Sequence, residues 1–196
     1  MQLTDSPRQA GFTLIEMSIV LIIIGLIIGG ILKASDVLKQ AHAKDLIQAV
    51  QDAQSAALSF KSKYGYLPGD LPNGGASIPG IGACVGGGNG LIDTAAKRTC
   101  ARDELIASGM LRGQVGSPIV VEGATITFSN AAGAGIALPT TWQNVVVIST
   151  LTCESAYQLD QALDDGNTAT GNFRTGVACA GANPAIAVPV AAFRLN

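Results

Sequence analysis

Residues 11–32 read GFTLIEMSIVLIIIGLIIGGIL, an almost entirely apolar run near the amino terminus. From Phe12 to Leu32 the run has 21 residues and a single charged side chain, that of Glu16. As an α-helix it would be roughly 30 Å long, which matches the hydrocarbon thickness of a bilayer. A surface helix of a water-soluble protein has one apolar stripe, whereas this helix would be apolar on all sides. We therefore expect a membrane-spanning helix over residues 12–32.

The residues before this run, MQLTDSPRQAG, form a short polar leader. In a secretory signal the apolar run precedes the cleavage site and is removed with it. Here the small residue Gly11 stands before the apolar run, so cleavage after Gly11 would leave the apolar segment on the mature chain. The product would begin at Phe12 and would remain anchored.

Glu16 is the exception within the apolar run. A carboxylate near the end of a membrane helix is costly unless it is paired or reaches the interface. The nearest cation would be the α-amine of a new terminus at Phe12. Because the geometry of this pair is poor within one helix, the amine of a neighbouring chain is the better partner. Such a pair would set the register between packed helices.

GFTLIE followed by a long apolar run resembles the class III signal of type IV pilins and pseudopilins. The resemblance implies that a prepilin peptidase cleaves after Gly11 on the cytoplasmic side and that Phe12 is then N-methylated. It also implies that Glu16 aligns subunits in a growing filament. It extends along the first helix to about Tyr64. The chain departs from it in two respects: the leader has little positive charge, and Lys33 stands where many pilins have proline.

Glycines interrupt the apolar run at positions 25, 29 and 30. The spacing of Gly25 and Gly29 is typical of a face on which membrane helices pack closely. Glycine is also common in membrane helices without such a role, so both interpretations stay open. The glycines are also candidates for the local helix weakness that proline supplies in many pilins.

Residues 33–64 continue as an amphipathic helix, because their apolar side chains recur at three- and four-residue steps. Gly65 and Pro68 mark its end. We thus predict four parts, with the boundaries that follow: a leader peptide (1–11), a membrane or filament-core helix (12–32), its amphipathic extension (33–64) and a globular head (65–196).

The head is rich in glycine and weakly charged. Its β-branched segments predict strands over 118–130 and 144–152, and residues 154–164 predict a helix. Asp103 and Glu104 suggest the start of another short helix, since acidic residues favour the positive end of a helix.

The carboxyl-terminal segment AIAVPVAAFRLN predicts an edge strand, because Pro189 would interrupt a central one. The predicted fold class is therefore α+β, with a long amino-terminal helix packed on a small antiparallel sheet of about three or four strands. This order of elements resembles the pilin fold. The segments YLPGDLPN, GNG-x-I and DDGN-x-x-x-G resemble those of minor-pilin-like prepilins.

All four cysteines, Cys84, Cys100, Cys153 and Cys179, follow the apolar run. If the head lies outside the cytoplasm, their even number indicates disulfides, and three pairings are possible. We favour Cys84–Cys100 and Cys153–Cys179, because each closes a local glycine-rich loop. In the loop-entropy treatment each bond would contribute roughly 3 kcal/mol. Four free thiols are the alternative for a cytoplasmic head.

Oxygen donors concentrate in the turn formed by Asp164, Asp165, Gly166 and Asn167. Calcium takes such ligands, but the spacing does not match an EF-hand loop, and adjacent acids at a helix end are more often a simple turn. We therefore predict no metal and no cofactor, with calcium at Asp164 and Asp165 as the alternative.

The chain has a net charge of −2 and no basic block, so no nucleic-acid partner is expected. It has one histidine and neither the Gly-x-Ser-x-Gly nor the His-Glu-x-x-His motif, and we predict that it is not an enzyme.

The predicted function is that of a structural subunit (pilin, minor pilin or pseudopilin) of a type IV pilus-like filament. The expected partners are other pilin or pseudopilin subunits bound through the amino-terminal helix, the prepilin peptidase and the inner membrane. The head is expected in the periplasm or outside the cell. Pilus, type II secretion and competence systems share this signal and stay open. The alternative is a membrane-anchored binding module with a generic anchor.

Overall fold

The computed structural model describes residues 11–82, 84–179, 183 and 185–195. Residues 1–10 of the predicted leader lie outside this range. The chain divides into two compact units, Met1–Ala41 and His42–Asn196. The boundary lies within the first helix, so the last turns of that helix belong to the unit that contains the head.

The first helix, α1, spans Leu14–Tyr64 and contains 51 residues. The large apolar side chains of its first part, up to Leu32, are all exposed. Among the described residues, α1 is the one helix that is long and apolar enough to cross a membrane. The predicted long amino-terminal helix is confirmed.

The part of α1 that belongs to the second unit buries one stripe of side chains. Leu46, Val50, Ala53, Ala57 and Phe60 follow one another at steps of three and four residues and are at most 3% exposed. This spacing places them on one face of the helix. They belong to the same apolar core as the inward side chains of the sheet.

The sheet has five antiparallel strands in the order β1-β2-β3-β5-β4. Their bounds are β1 Ile119–Val121, β2 Ala124–Asn130, β3 Asn144–Thr152, β4 Phe173–Thr175 and β5 Ala187–Arg194. The α+β class with a small antiparallel sheet is confirmed. The expected count of three or four strands was too low, because the three-residue strands β1 and β4 were not recognised.

Strands β1 and β2 form a tight hairpin within the segment predicted as a single strand. Val121 pairs with Ala124, so Glu122 and Gly123 alone form the turn. Both turn residues have positive φ, 50° and 79°. A two-residue turn needs positive φ at both residues if its twist is to match that of the flanking strands.

Strand β3 is buried on both faces, which explains its continuous apolar sequence. Val146 and Ile148 belong to the main core, which also contains Phe128 and Phe193. Val145 and Val147 belong to a second, smaller cluster with Trp142, Ala134 and Ala192.

Strand β5 is not an edge strand, and that prediction was wrong. It lies between β3 and β4. Its pairing with β3 omits Pro189 and the opposite residue Thr150, and β4 pairs with β5 only from Ala191 to Phe193. Proline is tolerated because no neighbouring strand pairs with it at this position.

Three shorter α-helices, α2 Gly74–Ser77, α3 Ala95–Ala107 and α4 Cys153–Leu163, and one 3-10 helix, Ala131–Gly133, complete the described fold. Helix α4 matches its prediction within one residue at each end. Asp103 and Glu104 do not begin a helix as predicted, since they lie near the end of α3. That helix begins after Thr94, whose side chain accepts a hydrogen bond from the backbone N–H of Lys97.

Candidate functional site

The start of α1 is closed by a reciprocal pair of side chains, Thr13 and Glu16. The backbone N–H and the hydroxyl of Thr13 donate to Glu16 Oε2 at 2.7 and 2.8 Å. The backbone N–H of Glu16 donates to Thr13 Oγ1 at 3.3 Å. This is a capping box, in which two unpaired amides at a helix start are satisfied by each other's side chains. The Thr-x-x-Glu spacing was readable in the sequence but was overlooked there.

The capping box would survive leader cleavage, since both of its residues lie after Gly11. Both donations from Thr13 end on Oε2, and the Glu16 side chain is exposed. The predicted pairing of Glu16 with another chain's amine therefore has to coexist with a local structural role. The two roles differ chemically: glutamine can fill the capping position, but only a carboxylate neutralises an amine.

No contact with another described residue requires glycine at these positions of the apolar run. A Cβ atom added at Gly25 or Gly29 would meet no atom within 4 Å. Their predicted role as a packing face for another membrane helix thus concerns contacts outside this chain, and it stays a prediction.

Two disulfides are present in the head. Cys84 is bonded to Cys100, which ties the glycine-rich loop to α3. Cys153 is bonded to Cys179, which ties the start of α4 to the segment after β4. These are the two pairs that the sequence favours because each closes a local glycine-rich loop. Each cross-links elements separated by a glycine-rich stretch, and so reduces the conformational freedom of the unfolded head.

A buried lysine organises the glycine-rich loop. Lys97 Nζ on α3 donates to Asp70 Oδ1 and Asn89 Oδ1, both at 2.8 Å, and to the carbonyl of Leu91 at 2.9 Å, and it lies 3.0 Å from Asp93 Oδ1. Burial disfavours the charged ammonium and by itself would lower the pKa of Lys97. The carboxylates of Asp70 and Asp93 together have a larger effect, so the pKa of Lys97 is raised.

Asp70 also binds the loop backbone directly. Its carboxylate accepts hydrogen bonds from the backbone N–H groups of Gly87 and Gly90. These amides are therefore engaged within the protein. The arrangement stabilises the loop and does not resemble a phosphate-binding cradle, in which such amides face the ligand.

Glu104 on α3 is fully buried beside this network. Burial raises the pKa of Glu104 to about 7, the charge of Asp70 acts in the same direction, and a 2.6 Å hydrogen bond from the backbone N–H of Gly69 opposes it. No described residue donates a hydrogen bond to its Oε1 atom.

The raised pKa of Glu104 makes stability depend on pH. The folded state retains this proton up to pH of about 7, whereas the unfolded chain releases it near 4.5. The contribution of Glu104 to the free energy of unfolding is thus fully present below pH 4.5 and is lost as the pH rises through 7, by about 3 kcal/mol.

We predict that the free energy of unfolding of Glu104→Gln, as measured by urea unfolding, decreases by about 3 kcal/mol less than that of the wild type over this range. Glu154→Gln, a partly exposed change on α4, should follow the wild-type profile. Parallel profiles for Glu104→Gln and the wild type would contradict the assignment.

Three aspartates meet at the end of α4: Asp160, Asp164 and Asp165. One carboxylate oxygen from each lies within 4.8 Å of the others. Asp160 is fully buried, and neither of its carboxylate oxygens has a hydrogen-bond partner among the described residues. Burial raises the pKa of Asp160 to about 6, the charges of Asp165 and Asp164 add to the effect, and Arg174 opposes it.

Asp164 and Asp165 were candidates from the sequence, whereas Asp160 was not. The available signal was the four-residue spacing between Asp160 and Asp164, which places two residues on one helix face. This spacing is a weak signal, because the burial of Asp160 depends on the sheet and on the loop after α4.

A long apolar amino-terminal helix followed by a small antiparallel sheet defines a pilin-like layout. Residues 6–32 match the family model described as the prokaryotic N-terminal methylation motif. This match covers 27 of the 196 residues and supports a resemblance to type IV pilin-like prepilins, with the class III signal at the amino terminus. In the pilin-like family, which is structural rather than catalytic, this motif implies processing by a prepilin peptidase and assembly with other pilins. The comparisons with curated proteins and with solved structures found no match.

Proposed function

We propose that this protein is a non-enzymatic structural subunit of a type IV pilus-like filament, as a pilin, minor pilin or pseudopilin. In this proposal the leader of residues 1–11 is removed, Phe12 is N-methylated, and residues 12–32 anchor the chain in the inner membrane before assembly. Residues 33–64 connect this anchor to the head of residues 65–196, which lies in the periplasm or outside the cell.

The observation that carries the proposal is the apolar surface of α1. The large apolar side chains from Leu14 to Leu32 are between 46% and 89% exposed. Their burial is worth on the order of 20 kcal/mol or more, which no part of the described chain provides. Lipid or the apolar helices of neighbouring subunits would provide it, so one surface serves both the anchored and the assembled state.

Glu16 gives this apolar surface a register. Lipid tails offer no partner to a carboxylate, whereas the α-amine of a mature neighbouring subunit does. A bundle of such helices is therefore most stable when each Glu16 faces a neighbouring amine. The proposal thus assigns Gly11 and Phe12 to processing and Glu16 to alignment.

Mass spectrometry of the mature amino terminus tests this function. We predict that the native chain begins with N-methylated Phe12, and that Gly11→Val retains Met1 because a bulky side chain occupies the cleavage position. Gly25→Ala, a change in the apolar run away from the cleavage site, should be processed like the wild type. A native chain that retains its leader, or normal trimming of Gly11→Val, would refute the processing assignment.

One observation favours the alternative of an anchored binding module. An open groove of about 490 Å³ in the second unit is lined by residues of α1, of β1 and of the loop after α3, including Ala53, Met110 and Ile119. This volume is within the range of small-ligand pockets. A native chain that keeps its leader and never forms filaments would favour this alternative.

A further inference from the structure

We propose that the carboxylates of Asp160, Asp164 and Asp165 bind one Ca²⁺ ion at the carboxyl-terminal end of α4. The proposal concerns the head and does not depend on filament assembly.

The positions of the oxygens suit a single ion. Calcium binds oxygen ligands at roughly 2.3–2.6 Å, so two ligands on opposite sides of the ion are about 5 Å apart. One oxygen from each aspartate already lies within 4.8 Å of the other two. A cation placed among them would therefore reach all three carboxylates without a rearrangement of the helix.

Asp160 supplies the independent reason for a ligand. Its side chain is fully buried, it faces the other two carboxylates, and neither oxygen accepts a hydrogen bond from any residue that the structure describes. Buried polar groups in folded proteins nearly always have a partner, and an unpaired buried carboxylate is especially costly. A coordinated cation would give this buried carboxylate a partner.

Arg174 does not replace this cation. Its charge attracts Asp160 and Asp165, yet within the described part of the chain its buried Nη1 has no hydrogen-bond partner, and neither carboxylate oxygen of Asp160 accepts a hydrogen bond. Three ionised carboxylates and one guanidinium leave a local charge of −2, which a divalent cation neutralises.

The character of the donors favours calcium over other divalent metals. All three are carboxylates, and hard oxygen ligands are those that calcium and magnesium prefer. The loop after α4 already holds two of them: Asp164 Oδ2 accepts from the backbone N–H of Asn172 and of Phe173, and Asp165 accepts from Asn167 and Thr170. Calcium tolerates such irregular positions, whereas magnesium requires a nearly ideal octahedron.

The test is calcium titration of the full chain in detergent micelles after treatment with a chelator. Calorimetry should show one Ca²⁺ per chain, with a Kd in the range of about 10⁻⁴ to 10⁻³ M found for extracellular modules. The melting temperature should rise by roughly 5 °C at a hundredfold excess over Kd. MgCl2 at the same concentration should produce a much smaller rise.

Two variants make the test specific. Asp160→Asn should abolish the calcium-dependent rise, and Asp165→Asn, a change at an exposed position, should weaken binding at least tenfold. Glu154→Gln on the same helix should respond like the wild type. Without calcium, Asp160→Asn should melt no lower than the wild type, because the substitution removes a buried unpaired charge. The proposal is overturned if the wild type does not bind calcium at about 10 mM, if magnesium acts equally, or if Asp160→Asn and Asp165→Asn both bind as the wild type does.

Discussion

Glu16→Gln is expected to reduce incorporation into filaments about a hundredfold, while membrane insertion and leader cleavage continue. Removal of the carboxylate leaves the amine of the neighbouring subunit unpaired in an apolar environment, at a cost of roughly 3 kcal/mol. Glutamine retains the ability to fill the capping position at the start of α1. The fraction of the variant in sheared filaments, relative to the membrane pool, measures the effect.

Thr13→Ala is the matched control for this experiment. It removes the hydroxyl of the capping box, which both donates to and accepts from Glu16, but it leaves the carboxylate in place. If the charge of Glu16 aligns subunits, Thr13→Ala should assemble far better than Glu16→Gln. If both variants assemble equally poorly, the helix start and not the charge is what assembly requires.

Lys97→Met is expected to lower the free energy of unfolding by about 3–5 kcal/mol. The substitution preserves the length of the side chain but leaves the fully buried carboxylate of Asp70 without its cation. Loss of one partner of a buried ion pair is far more costly than replacement of both, because the remaining charge stays desolvated. Urea unfolding of the full chain in detergent, followed by circular dichroism, measures the change.

Two further variants separate charge from packing. Lys44→Met replaces an exposed lysine on α1 and should change stability by less than about 0.5 kcal/mol. The double variant Asp70→Asn/Lys97→Met should be more stable than Lys97→Met alone, since its buried pair is neutral. If Lys97→Met and Lys44→Met were equally stable, the ion pair would not hold the loop.

Short-range patterns predicted the elements whose formation depends on short-range interactions. The apolar run and the three- and four-residue periodicity after it predicted α1, because a helix is formed by contacts between residues close in sequence. Helix α4 was predicted for the same reason, with Thr152 accepting from the backbone N–H of Ser155 at its start.

The wrong predictions concern elements whose position in the fold is determined by residues distant in sequence. Pro189 suggested an edge strand, yet β4 pairs with β5 beyond that residue and makes β5 internal. Asp103 and Glu104 suggested a helix start, but both lie near the end of α3, where burial by other elements determines their environment. Neither outcome could be read from adjacent residues.

The candidate sites divide in the same way. Gly11, Phe12 and Glu16 form one contiguous motif, and such a motif is recognisable in a chain that has not folded. Asp160 became a candidate only because tertiary packing buries its carboxylate without a partner beside Asp164 and Asp165.

For this chain, the order of residues alone was enough to predict the anchor, its cleavage motif and a long helix, since each depends on contiguous residues and their solubility in lipid. Folding of the second unit determined the strand order, the buried Asp70–Lys97 pair and the three-aspartate cluster. The physical reason is that desolvation and pairing of a charge depend on what surrounds it in space, and residues distant in sequence provide those surroundings.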